Sequence, residues 1–243
     1  MGLLHNARML VRRAGIDVSR YRSEPDDNRR LVNQLESHRV DVVLDVGANM
    51  GQYATDVRGA GFKGRIVSFE PLSGPFSVLQ KSASADPLWD CQQCALGERD
   101  GTISVNVAGN DGQSSSILPM LETHQGAFPE ANYVGTEEVA IYRLDTVAPK
   151  ILRPTDVAFL KIDVQGYEKL VLAGGQSTVS DRCVGMQLEL SLLRLYGGDM
   201  LIREALDLVY SLGFTLTGLV PCVRDDRTSR LLQADGVFFR EDD

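Results

Sequence analysis

The chain has 243 residues, 43% hydrophobic and 24% charged, with a formal net charge of −8. That length accommodates one α/β domain with a large core, and the composition is that of an ordinary globular chain. No stretch approaches the roughly 18 consecutive apolar residues of a transmembrane helix, and the N-terminus lacks the apolar centre and small-residue cleavage site of a signal peptide. The acidic balance argues against a general nucleic-acid binder, which needs a concentrated basic footprint, and leaves a small-molecule or lipid-linked partner.

In chain order, Met1-Gly2 opens like a myristoylation site, but Asn6 stands where Ser or Thr is wanted. Residues 3–14 set Arg8, Arg12 and Arg13 against Leu3, Ala7, Leu10 and Val11. This predicts an amphipathic helix packed on the domain or a partner, with peripheral membrane contact as the alternative. A polar stretch then leads to a second helical pattern through Leu31, Val32 and Leu35. The run V-D-V-V-L-D-V-G-A-N-M-G-Q-Y-A at 40–54 reads as a buried strand ending at Asp45, a turn at Gly47 and Gly51, and a helix over 52–60. Further strands are predicted at 65–69, 89–95, 157–162, 184–190, 214–220 and 236–240, with helices at 75–82, 168–173 and 201–212. Such alternation makes a βαβ series and a mostly parallel, doubly wound sheet.

Four cysteines are present. Cys91 and Cys94 form C-x-x-C, but in a strand residues three apart point to opposite faces and cannot share a zinc. Cys183 and Cys222 fall in apolar strand-like segments, where buried free thiols are expected. A reduced, cytoplasmic chain follows.

The glycine turn is not a phosphate cradle, because Asn49 replaces the second glycine of G-x-G-x-x-G. Asp45 would repel a phosphate yet suits a ligand carrying an ammonium and a sulfonium, and S-adenosylmethionine has both. Glu70, ending the next strand, is placed to accept hydrogen bonds from both ribose hydroxyls of an adenosine. The last two strands have no room for a crossover helix between them and should pair antiparallel. Seven strands, parallel except for one antiparallel last strand, with helices on both faces, is the Rossmann-like sandwich of class I methyltransferases; a nicotinamide-binding sheet normally stays parallel. The reading is of one domain over 1–243. Within it lie a helical region at 1–39 and an insertion at 100–145, where T-I-S-V-N-V and E-E-V-A-I-Y-R flank the polar loop G-N-D-G-Q-S-S-S-I as an acceptor pocket.

The blocks L-D-V-G-A-N-M-G, V-S-F-E-P, C-A-L-G, S-S-S-I, Y-R-L-D-T-V, F-L-K-I-D-V-Q-G-Y-E and L-Q-A-D-G-V-F-F occur in one order along the chain. With them the sequence resembles the FkbM family of S-adenosylmethionine-dependent O-methyltransferases over roughly residues 40–240. One departure is Gln165, where the family usually carries an acid. The resemblance implies O-methylation of macrolide-like natural products or of sugars, including those of glycolipids. It implies a cofactor site of Asp45, Gly47 and Asn49 near the methionine end, Glu70 on the ribose, and Ala95 and Leu96 beside the adenine, with Gly51 of the glycine turn also counted among the cofactor-binding residues.

Methyl transfer from a sulfonium is an in-line substitution that aligns the acceptor oxygen and removes its proton. A general base or a coordinated divalent cation can do this. Asp163 ends a core strand, Glu168 begins the following helix and Glu189 ends the next strand. They are the acidic candidates for catalysis, and Asp163 and Glu189 are the ligands if Mg²⁺ takes part. Glu168 has a second reading as a helix cap. His124 in the insertion is a candidate base with a suitable intrinsic pKa, against a reading as a solvated loop residue, while His5 and His38 lie outside the expected pocket. Ser114, Ser115 and Ser116 are candidates for acceptor or cofactor contacts. Two rivals stand beside the methyltransferase reading: a nicotinamide-dependent oxidoreductase, and a non-catalytic S-adenosylmethionine-binding subunit.

Overall fold

The computed structural model describes residues 26–225 and 227–241. The amphipathic segment at 3–14 lies outside them. Asp26 caps helix α1 (Asp27–Ser37), its carboxylate accepting the Arg29 N–H at 2.7 Å. The helical period then turns Leu31, Val32 and Leu35 to one buried face, as the sequence pattern predicts.

Strand β1 (Val42–Val46) is buried along its whole length and pairs in parallel with β2 (Arg65–Phe69) on one side and β7 (Ala158–Ile162) on the other. Between β1 and β2 runs α2 (Gln52–Gly59), and α3 (Ser73–Ala83) leads to β3 (Trp89–Gln92). The main sheet has seven strands in the order β3-β2-β1-β7-β8-β10-β9, where β8 is Cys183–Ser191, β9 Thr215–Arg224 and β10 Leu231–Phe239. All pairings are parallel except those of β10, which is antiparallel to both neighbours. This is the class I methyltransferase arrangement expected from the sequence.

Alternation along β1 feeds two cores. Val43 packs with Ile66, Phe159 and the apolar faces of α1, α2 and α3. Val42, Leu44 and Val46 pack on the other face with α5 (Leu144–Ile151), α6 (Glu168–Gly174), α7 (Gln176–Arg182) and α8 (Ile202–Ser211). A second sheet holds β4 (Ala95–Leu96), β6 (Tyr133–Tyr142) and β5 (Gly101–Ala108) in the order β4-β6-β5, with the short helix α4 (Glu122–Ala127) in the insertion.

Three expectations are corrected. The strand predicted at 89–95 is two: β3 ends at Gln92, the Cys94 N–H bonds back to the Gln92 carbonyl, and Ala95–Leu96 joins the small sheet. Cys91 and Cys94 therefore straddle a turn rather than alternate along a strand. Cys222 is exposed rather than buried, because β9 is the sheet's edge strand. The last hairpin is also longer than predicted, with Pro221 inside β9, where an edge position spares the missing N–H. Among the described residues no helix is long and apolar enough to cross a membrane.

Candidate active site

A cavity of about 690 Å³ opens over the C-terminal ends of β1, β2, β7 and β8, beside the start of β10 and under the 110–128 segment. Open α/β sheets bind ligands at this edge, and the volume is that of a small-molecule site.

One side is built on the glycine turn. Gly47 has a φ of 78°, and a Cβ there would overlap the Asp163 carbonyl oxygen, so only glycine lets β1 leave the sheet this close to β7. Asn49 follows in the left-handed region and donates its N–H to Glu70 Oε2 at 2.8 Å, while the Leu72 N–H reaches Oε1 at 2.9 Å. Each Glu70 oxygen keeps acceptor capacity beyond its one backbone bond. Burial pushes the Glu70 carboxyl up to about 7 against the two backbone N–H groups, which favour its charge.

Beneath the turn runs a buried polar chain. Trp89 Nε1 donates to Ser68 Oγ, and Ser68 Oγ donates to Asp45 Oδ2, both at 3.0 Å. Lys161 Nζ lies 3.1 Å from Asp45 Oδ1, bonds the Gly47 carbonyl at 3.0 Å and stands 3.7 Å from Asp163 Oδ2. Burial alone would lower the Lys161 pKa, but Asp45 and Asp163 outweigh it and the net shift is upward. Asp45 is fully buried and does not line the cavity; its place is that of the Lys161 counter-ion bracing the turn. Gly51 caps α2 beneath the Trp89 ring, and Leu96 lies in the core. Gly47, Asn49, Glu70 and Ala95 do line the cavity.

The opposite side carries the acids. Gln165 Nε2 donates to Asp163 Oδ1 at 2.8 Å and to Glu189 Oε2 at 3.0 Å, and its Oε1 accepts the Tyr196 hydroxyl at 2.7 Å. Gln233 Nε2 adds a second bond to Glu189 Oε2 at 2.6 Å. These amide hydrogens occupy the space between Asp163 and Glu189 where a shared Mg²⁺ would sit, so the donor set does not fit that ion. Among the described residues no cluster of three or more His, Cys, Asp or Glu is arranged for a metal.

Glu168 is buried outside the cavity, and its Oε1 accepts the Val164 and Gly166 N–H groups, fixing the turn after Asp163. Burial raises its carboxyl to about 7. His124 sits on α4, buried and edge-on to the Phe128 and Tyr196 rings, rather than solvated. Its pKa is lowered by burial, and its Nδ1 has no hydrogen-bond partner among the described residues. His38 stacks on Phe239, away from the cavity.

All three serines line the cavity, with hydroxyls that hold its wall: Ser114 accepts from Asn110 Nδ2, Ser115 from the Ala108 N–H, and Ser116 donates to the Gln165 carbonyl at 2.7 Å. The sequence reading missed Lys161, Gln187, Gln233 and Asp235, which also line the cavity. A signal for the last three was present. In M-Q-L-E-L and L-Q-A-D-G, polar residues two apart in an apolar strand share one face.

A methyltransferase FkbM domain model matches residues 45–216. The chain is 27% identical over 218 residues to the 2-O-methyltransferase NoeI of Sinorhizobium fredii, covering 86% of this chain and 87% of that one. It is 24% identical over 142 residues to Methyltransferase 1 of Beauveria bassiana, covering 54% and 57%. A solved structure of precorrin-6y C5,15-methyltransferase from Geobacter metallireducens superposes with a TM-score of 0.47 at 10% identity, over 93% of this chain and 94% of that one. The family match runs from the end of β1 into β9 and covers most of the seven-stranded sheet; this protein is a methyltransferase and belongs to the FkbM methyltransferase family.

Proposed function

We propose that this methyltransferase is S-adenosylmethionine-dependent and methylates a hydroxyl of a sugar, glycolipid or polyketide-type natural product. The observation that carries this reading is Glu70 facing the cavity, each oxygen with spare acceptor capacity, directly beside the Gly47–Asn49 turn. A pair of ribose hydroxyls matches that acceptor pair, and the turn brings backbone rather than side chain to the ligand's amino-acid end. Leu72 and Ala95 supply apolar surface for the base. When bound, the cofactor supplies an electrophilic methyl on a positively charged sulfur.

The protein's own task is to present and deprotonate the acceptor. Asp163 takes the hydroxyl proton. Its side chain is 37% exposed while Glu168 is buried away, Gln165 fixes one oxygen, and the Lys161 ammonium stands 3.7 Å from the other. His124 is the second reading, favoured by its place on the cavity wall and its lowered pKa, which keeps the ring neutral and able to accept a proton. Asp163→Asn and His124→Ala, compared for turnover and pH profile, separate the two.

The test of the whole reading is calorimetric titration of S-adenosylmethionine and S-adenosylhomocysteine into wild type and Glu70→Ala. Saturable binding that the substitution weakens supports it, and absence of binding to wild type removes it. Binding without transfer to any acceptor favours the non-catalytic subunit.

A further inference from the structure

The acceptor side of the cavity has a surplus of hydrogen-bond acceptors and negative charge with no matching cation. Glu189 on β8 and Asp235 on β10 are direct cross-strand partners, and both face the cavity with Asp163. Like charges directly opposite on a sheet repel, and burying them without a counter-ion is costly. Among the described residues the one cation lining the cavity is Lys161, already 3.1 Å from Asp45. Neutral amides serve Glu189 instead, Gln165 and Gln233 both donating to it, and the Gln187 amide beside Asp235 favours that carboxyl's charge only weakly.

Gln187 Oε1 is itself buried with no partner among the described residues, in a side chain 9% exposed that lines the same cavity. The Tyr53 hydroxyl is likewise buried, unpartnered and cavity-lining. Burial raises the carboxyls of Glu189 and Asp235, the latter to about 6.

We propose that Glu189, Asp235 and Gln187 form a subsite for a protonated amine on the acceptor, so that the preferred substrate carries an ammonium group near the hydroxyl to be methylated. This rests on the S-adenosylmethionine-dependent reading of the same cavity. An ammonium brings three donors and one positive charge to three acceptor groups; a hydroxyl brings one donor and no charge. A divalent cation is a poorer match, because no cluster of three or more His, Cys, Asp or Glu among the described residues is arranged to hold one. Acceptors bearing phosphate, sulfate or carboxylate at this edge are repelled.

The test uses the full chain saturated with S-adenosylhomocysteine and titrated calorimetrically with glucosamine, N-acetylglucosamine and glucose. Glucosamine is expected to bind about tenfold more tightly than either neutral probe, the difference between a charge-assisted and a neutral hydrogen bond. Asp235→Asn and Glu189→Gln, each first shown to melt cooperatively, should reduce that preference to about twofold or less. Equal or undetectable binding of all three probes overturns the proposal, as does saturable Mg²⁺ binding that displaces glucosamine. Failure of S-adenosylhomocysteine to bind wild type is a different result, which removes the underlying cofactor reading.

Discussion

Lowering the pH from 8 to 6 should weaken S-adenosylhomocysteine binding by about tenfold, and Glu70 is the reason. Its carboxyl titrates at about 7 because burial outweighs the two backbone N–H bonds it accepts. In the proposed complex it accepts ribose hydroxyls, which favours the ionised form and holds the bound pKa below the experimental window. The free protein must then lose a proton to bind. The affinity penalty is one plus ten to the power of pKa minus pH, about 1.1 at pH 8 and about 11 at pH 6, or ~1.4 kcal/mol across the range. Calorimetry in two buffers of different ionisation heat reads both the affinity and the proton release, which should be near ~0.9 at pH 6 and ~0.1 at pH 8. Glu70→Gln should bind more weakly at every pH and lose this dependence. A wild-type affinity that is flat, or stronger at pH 6, would refute the placement of a charged Glu70 against the ligand.

Two further expectations concern stability. Lys161→Met strips the fully buried Asp45 of its cation and should cost about 3–5 kcal/mol by denaturant unfolding, part of which Asp45→Asn restores in the double variant; simple additivity of the two single effects would show that the pair is not coupled. Glu168 titrates at about 7 in the fold against an ordinary 4.5, so the folded state binds the extra proton and its contribution to stability falls as pH rises from about 4.5 through 7. That loss is about 3 kcal/mol at 1.36 kcal/mol per unit, and Glu168→Gln, which keeps an acceptor for the Val164 and Gly166 N–H groups, should flatten it in unfolding curves at pH 5 and 8. An unchanged pH dependence in this variant would assign the effect elsewhere.

Where local pattern decides structure, the sequence was readable. Leu31, Val32 and Leu35 reveal α1 by their period, and the apolar run ending at Asp45 reveals β1 because a central parallel strand is buried on both faces. Helix α5 escaped because Pro149 interrupts its pattern, and β9 was cut short because an edge strand shows solvent half of its surface. At the site, residue type pointed correctly to the strand ends but not to partners. Nothing local shows that Asp45 faces Lys161, 116 positions later, rather than the cavity, or that Glu168 turns back onto the Val164 and Gly166 amides. Buried Lys161, written inside F-L-K-I-D, was the clearest overlooked cue, since a lysine at a buried strand position needs a carboxylate partner.

Gln165 explains why the two halves of the site act as one unit. It adopts a φ of 55°, Gly166 follows at 97°, and Glu168 locks the turn from below. From that single residue, the backbone carbonyl holds Ser116 of the wall, the side-chain oxygen holds Tyr196, and the amide nitrogen holds both Asp163 and Glu189. The wall over the acceptor cannot shift without disturbing the residue proposed to take its proton. An acid at position 165 would lose both donated bonds and bring a third negative charge against Asp163 and Glu189, an arrangement that needs a cation to hold it. With an amide there, this chain holds the two carboxylates together by hydrogen bonds alone. Asp163 is left its other oxygen, 3.7 Å from Lys161 Nζ, for the proton transfer proposed for it.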